Sequence, residues 1–559
     1  MFTPEKGGAG GRTGDGVPGA GITRGRFLVA LAVAGIAGGG VLGCGAVGRV
    51  RSLYPPRPGG GEWAFRSRLD LRPPAVSVAR RSDRTAPGYV FVAPKNGPSE
   101  TGPGQRGPLI VDEDGQPVWF RPLQDGDADA MDFKAQRYKG ESVLTWWQGP
   151  HTTYGLGEYA VLDGSYGEVA RVRAGGGYQA DLHELLITAQ DTALITIYGP
   201  TPHDLSSVGG PVNGVAAEGI VQELDIESGE VLFEWHSLGR VGIEESYFPP
   251  PEDPAEPFDY FHKNSIEVGT DGNLIISARK TSATYKIDRK SDQVLWRLDG
   301  ERGDFEMAPG TPTRYQHDAR RRPDGTLTLF DNGGEGESER SRAIVVRLDE
   351  VAMRASLVSE YVHKGRRLSV TQGNAQTLPN GNAFVGWGSE PGFSEFHVDG
   401  ELLFDANFPP GMESYRAFRF PWVGEPHDDP AVAAEPGPAP DEVSVHASWN
   451  GATEVAAWGI LAGPAPDRLK TVGVVPRHGF ETAAAARTDE PYVGVEAVDR
   501  RGRSLGRSEA VRPGNGPPRA LRKAPKRSFR LWPAATSQSL CPLAGTCRAS
   551  ASGARSSPR

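Results

Sequence analysis

The chain has 559 residues and a net charge of −9; it is long enough for one large domain with extras, and its charge gives no reason to expect nucleic acid as a partner. Its 74 glycines and 47 prolines suit many short strands and tight turns rather than a helical bundle. The three cysteines, Cys44, Cys541 and Cys547, lie outside the body of the chain, which excludes a disulfide-stapled core and a thiolate zinc site.

In residues 1–50, Thr23-Arg-Gly-Arg26 precedes an apolar run from Phe27 to Val47. A basic flank and an apolar core read as an export signal or a single membrane anchor. The run passes through Val41-Leu-Gly-Cys44, which resembles a bacterial lipoprotein cleavage site with Cys44 as the lipidated residue. The same segment resembles a twin-arginine export motif, with Gly25 standing where the second arginine would be. Lipidation and an uncleaved anchor both stay open; either predicts a protein tethered to the cell membrane and facing outward. Residues 51–84 read as spacer and lead-in.

From 85 to 425 two kinds of hairpin alternate. The first is a strand ending in Asp, a polar turn and a second apolar strand, around Asp112, Asp163, Asp225, Asp288, Asp349 and Asp399. These aspartates recur at roughly fifty to sixty residues, the span of one propeller blade with its loops. The second kind begins at His183, His262, His317 and Asn374, and three of the four turns read DGN, PDG or PNG. Two hairpins per repeat make a four-stranded sheet, and a ring of such sheets protects its edges by closing. The fold class expected is all-β: a six-bladed β-propeller over 85–425, followed by a small C-terminal sandwich.

Residues 426–440, acidic and rich in Pro and Ala, read as a linker. Residues 441–513 carry short, closely spaced strands, read as an immunoglobulin- or fibronectin-III-like β-sandwich with Trp449 and Trp458 in its core. Residues 514–559 hold basic residues and no acidic one, and read as a disordered tail.

His183, His262, His317 and Asn374 share a phase, about seven to ten residues ahead of their own turns. Equivalent positions of successive blades lie on one ring about the propeller axis, so these residues are expected to meet at the channel mouth. Arg279 closes the strand after His262 and can reach the same axis. A neutral imidazole is a competent nucleophile near neutral pH. Arginine and further histidines supply donors to an oxyanionic group such as sulfate or phosphate, and a second histidine can move the proton of a leaving or arriving hydroxyl. The inventory fits transfer of a small oxyanionic group between two oxygens through a covalent histidine. A GxxxxGK[ST] phosphate loop is absent, so a nucleotide donor is not indicated. Clustered histidines also make metal sites, but propeller cation sites favour carboxylates, and few are expected in this ring. His151 and His203 sit in loops able to rim the channel, and the remaining histidines read as structural.

The stretches DYFHKNSIEV, SARKTSATYKID with VLWRLDG, YQHDARRRPDG, LFDNG, QGNAQTLPNGNAFVGWGSEPGFSEF and SYRAFRFPW resemble the actinobacterial and fungal branch of the arylsulfotransferase (ASST) family. The resemblance runs from Gly88 to Trp422. It implies a six-bladed propeller that moves a sulfuryl group from a phenolic sulfate ester to a phenolic acceptor, with no cofactor. It implies His317 as the sulfated residue, His183 and His262 as its supports, and Asn264 and Arg279 as binders of sulfuryl oxygens, while Asn374 completes the ring on the substrate side. Two other readings stand beside it: a non-catalytic extracellular propeller that binds carbohydrate, polymer or protein, and a metal-dependent hydrolase or lyase.

Overall fold

The structure is a computed structural model that describes residues 50–514, apart from 54–56, 99, 124–127, 151–154 and 335–339. The export or anchor segment with Cys44, His151 and the basic tail beyond 514 lie outside the described residues. No helix among the described residues is long and apolar enough to cross a membrane.

Six sheets, antiparallel except for one short outer strand, follow one another along the chain. Blade 1 orders Ala417–Phe420, Tyr89–Val92, Leu109–Val111 and Pro117–Phe120, so its innermost strand comes from the far end of the domain. The inner strands of blades 2 to 6 are Asp129–Tyr138, Leu185–Ile187, Lys263–Val268, His317–Arg321 and Asn374–Thr377. In blades 2 to 4 each is the first strand of its own sheet in sequence, in blades 5 and 6 it is the first of four consecutive strands, and from it the chain steps outward strand by strand. The sheets of blades 5 and 6 carry a fifth strand on the outer edge, Glu306–Met307 and Ser77–Arg81 respectively.

Burial explains why the ring closes. A β-sheet with two apolar faces must cover both, and each seam between neighbouring blades holds its own apolar cluster. Trp119, Phe133 and Trp146 fill the seam of blades 1 and 2, and Trp147, Tyr159 and Ile195 that of blades 2 and 3. Val221, Ile266 and Tyr285 lie between blades 3 and 4, and Ile275, Ala319 and Leu329 between blades 4 and 5. Phe330, Val345 and Trp387 join blades 5 and 6, and Phe384, Phe404 and Val90 join blade 6 to blade 1. The fold is therefore a six-bladed β-propeller. The recurrent aspartates have a local cause: Asp112, Asp163, Asp225, Asp288, Asp349 and Asp399 each accept backbone N–H bonds from their own outer-hairpin turn.

Two boundaries differ from expectation. The lead-in is not a free spacer, because Ser77–Arg81 pairs with Leu402–Asn407 and Trp63, Phe65 and Leu71 bury themselves beside Phe480. Nor is 426–440 a linker throughout: Ala431–Pro436 pairs along its length with Glu442–Ser448, its small Val and Ala side chains turned into a core. That core lies between two four-stranded sheets and includes Val432, Val445, Trp458 and Val495. Val50–Ser52 supplies an edge strand to one of them. Trp458 is buried, while Trp449 packs at the margin and donates its indole N–H to the Asp428 carbonyl at 2.5 Å. Asn450 exchanges two hydrogen bonds of 2.9 Å with the backbone of Phe120, so these sheets are fastened to blade 1.

Candidate active site

Irregular backbone at the heads of the inner strands builds the site. The ladder slips between Met131 and Lys134, between Lys263 and Ser265, and between His317 and Arg320. A bulge re-aims the side chains beside it. Asp132, Asp318 and His262 hold left-handed φ of 53°, 58° and 53°, a conformation that costs energy in a non-glycine residue and persists only where the surroundings enforce it.

On the axis, the fully buried Arg416 precedes the closing strand of blade 1. Its guanidinium reaches Asp132 of blade 2 at 2.7 Å, Glu184 at the head of blade 3 at 3.1 Å and Asp318 of blade 5 at 3.6 Å. It also donates to the Asn264 carbonyl of blade 4 at 2.7 Å. Lys134 bridges Asp132 at 2.7 Å and Glu184 at 2.5 Å, and Arg320 holds Asp318 at 2.7 Å and also Glu184. The expectation of few carboxylates here is thus corrected: three are buried on the axis, matched by three cations. Arg320, Lys134 and Arg416 hold the Glu184 carboxyl far below the usual range against the opposing effect of burial.

Beside this network the histidines converge. His183 and His262 meet edge to face with ring centres 5.0 Å apart, and Tyr415 packs 5.7 Å from His183. Each imidazole is held at Nδ1 by a carboxylate a few residues upstream: His183 by Asp181 at 2.5 Å, and His262 by Asp259. That engagement leaves Nε2 as the nitrogen open to a ligand. Burial pulls the His262 imidazole below its ordinary value, with His183 and Arg279 adding to the effect and Asp259 opposing it.

His317 is buried and differently supported. Its Nδ1 lies 2.7 Å from Asn332 Oδ1 and 3.0 Å from the Tyr315 carbonyl. The Asn332 amide nitrogen donates to the carbonyls of Ser369 and Gln372, both at 2.9 Å, which fixes its oxygen as the atom facing His317. Two acceptors at Nδ1 place the proton there, so Nε2 carries the lone pair. The only hydrogen bond to that lone pair among the described residues is a long one, 3.3 Å from the Gln372 backbone N–H. Burial, then the Arg279 guanidinium, then His262 and His183 hold the His317 imidazole well below its ordinary pKa. Arg279 itself lies against the rings of Tyr315 and Phe248, at 5.3 and 5.6 Å, and donates to the Val370 carbonyl at 3.2 Å. Its Nε has no hydrogen-bond partner among the described residues.

Four of the expected residues, His183, His262, His317 and Arg279, therefore come together. Asn264 and Asn374 do not join them as ligand groups. Asn264 donates to the Gln316 carbonyl at 2.8 Å and accepts from the Asp318 N–H at 3.3 Å. Asn374 does the same two blades on, from blade 6 to blade 1, with the carbonyl and N–H of Ala417 at 2.8 and 2.9 Å. Both amides act as blade-to-blade clasps, each donating one hydrogen bond and accepting one across the seam. His203 ends a strand in the blade 3 ladder, paired with Gly214. Sequence reasoning passed over Asp181, Asp259, Asn332 and Lys263, although Asp181-x-His183 and Asp259-x-x-His262 put an acid just upstream of each histidine. Among the described residues no group of three or more His, Cys, Asp or Glu is arranged to hold a metal ion.

No curated protein matches the chain. Among solved structures, a protein of unknown function from Bacteroides caccae aligns with a TM-score of 0.37 at 15% identity, covering 59% of this chain and 98% of that one. Virginiamycin B lyase from Staphylococcus aureus aligns with a TM-score of 0.30 at 8% identity over 59% and 87%. The β-propeller domain of Myceliophteria thermophila Cps50 (Swd1) aligns with a TM-score of 0.30 at 10% over 66% and 98%. These likenesses are remote, and the propeller stands on the sheet order and seams described above. Residues 134–409, which span blades 2 to 6, match the model of the arylsulfotransferase (ASST) family. That match takes in the blades that hold His183, His262, Arg279 and His317.

Proposed function

We propose that the protein moves a sulfuryl group from a phenolic sulfate ester to a phenolic acceptor through a sulfated His317, without a nucleotide donor or a cofactor. The observation that carries this reading is the His317 tautomer: the Asn332 oxygen at 2.7 Å on Nδ1 leaves a buried, neutral Nε2 lone pair beside Arg279. In the first step Nε2 attacks sulfur and the bond from sulfur to the phenolic oxygen breaks. The leaving oxygen takes the electron pair, and His262 gives it a proton. In the second step the acceptor hydroxyl loses its proton to His262, its oxygen attacks sulfur, and the N–S bond returns its pair to Nε2. Arg279 and the Gln372 N–H bind the sulfuryl oxygens, where preorganised donors act on charge that grows in the transition state; His183 sits behind His262.

The N-terminal sequence from Thr23 to Cys44 supports an outward-facing protein tethered to the cell membrane. Incubation with a chromogenic aryl sulfate, followed by intact-mass and peptide mapping, tests the assignment. One sulfuryl group on His317 is the expected result, and transfer retained at full rate by a folded His317→Ala variant overturns it. A binding propeller without catalysis would give no mass gain with any donor.

A further inference from the structure

Lys263 stands between His262 and Asn264 in sequence, and its side chain runs inward between blades 3 and 4, with Cδ beside Gly219. It is fully buried, and its Nζ has no hydrogen-bond partner among the described residues. An ammonium in that state forfeits several kcal/mol of hydration unless charge repays it. What it does meet is the face of Tyr198, 3.3 Å from the ring centre. That ring packs in turn against both imidazoles, 5.9 Å from His262 and 6.1 Å from His183.

The charged groups around Lys263 are the two carboxylates that orient those imidazoles, Asp181 from blade 3 and Asp259 from the loop ahead of blade 4, with Glu218 from blade 3 behind them. Facing the imidazoles from other elements are Arg279, and Lys280 beside Asp259. Lys263 acts on both Asp–His pairs, on Asp181 as well as on Asp259.

Resting on the sulfuryl-transfer reading above, we infer that Lys263 is a positioning residue: its buried ammonium is the shared counter-charge of Asp181 and Asp259, and it makes His262 a stronger acid. A carboxylate at Nδ1 alone raises an imidazole's basicity; a cation behind that carboxylate withdraws part of the effect. His262 can then surrender its proton to a departing phenolate rather than keep it. Burial lowers the Lys263 ammonium to about pKa 8, so it is largely charged at neutral pH. The residue is costly to bury, and its position under both pairs gives that cost a use.

The test is the titration of His262 by NMR of Cε1-labelled histidine, with its signal assigned by a His262→Gln variant. In Lys263→Met the His262 pKa rises by about one unit relative to the parent, while Lys263→Arg restores it at least in part. Unchanged titration in a folded Lys263→Met protein overturns the inference. Should that variant fail to fold, Lys263→Gln carries the same readout. Because the titration needs no turnover, it is independent of whether His317 accepts a sulfuryl group. In an active protein, the alkaline limb of the donor kcat/KM profile moves up by the same amount.

Discussion

His317 Nδ1 and Asn332 Oδ1 lie 2.7 Å apart, and the Asn332 amide nitrogen is tied to two carbonyls that forbid it to flip. One side chain thereby decides which nitrogen of the imidazole can attack. Asn332→Leu frees the ring and is expected to lower kcat about 10- to 100-fold with the fold intact, measured with a chromogenic aryl sulfate and a phenol. Asn332→Asp places a carboxylate there, stabilises the imidazolium and raises the His317 pKa. Its transfer rate at neutral pH falls and recovers as pH is raised, whereas the Leu variant shows no such recovery.

The acid tolerance of the first step follows from the same ring. A base whose pKa is depressed stays neutral to lower pH, so sulfation of His317 in single-turnover mass measurements should remain half-maximal below about pH 6.5, the ordinary imidazole value. Arg279→Gln removes the cation that most depresses His317, so the His317 pKa rises and the acid limb shifts upward. The same change removes a donor to the sulfuryl oxygens, with an expected loss of about 10²- to 10³-fold in kcat. An acid limb left in place would separate the two roles and assign Arg279 to binding alone.

Asn264 and Asn374 offer the opposite test. If they are clasps, Asn264→Ala and Asn374→Ala each remove a donor to one buried backbone carbonyl and an acceptor from one backbone N–H. Each then lowers stability by about 1–3 kcal/mol in urea titration. KM for the aryl sulfate should change less than about twofold. A large rise in KM with stability unchanged would return these residues to the substrate.

Arg416→Met leaves Asp132, Glu184 and Asp318 sharing Lys134 and Arg320 alone. Breaking a buried network from one side costs about 3–5 kcal/mol, read as a fall in the denaturant midpoint. The loss should shrink at low pH, where the protonated carboxylates no longer need the arginine.

The alternation of hairpins and the clustering of His183, His262, His317 and Arg279 were legible because propeller symmetry converts sequence spacing into angular position. The finer phase was not. Counting back from a turn presumes an unbroken ladder, and the slips at Met131, Lys263 and His317 break it near the axis. Asn264, inside one of these slips, faces the next blade, as Asn374 does from an unbroken ladder, and the axial carboxylates went unseen because each reads locally as an ordinary acid. The Ala431–Pro436 strand was hidden by composition: alanine and proline suggest a linker, yet small side chains are what a thin inter-sheet core accepts.

The strand that shuts the ring, Ala417–Phe420, pairs with Tyr89–Val92, far upstream in the chain. Blades 2 to 6 are thus complete on the emerging chain before the ring has any means of closing. The residue just ahead of that strand is Arg416, which seats among side chains from blades 2, 3 and 5. In chain order, the residue that completes the neutralisation of the axis arrives with the strand that closes the ring. A nascent chain halted before Arg416 would carry every histidine of the cluster on an open arc, with three acids facing two cations.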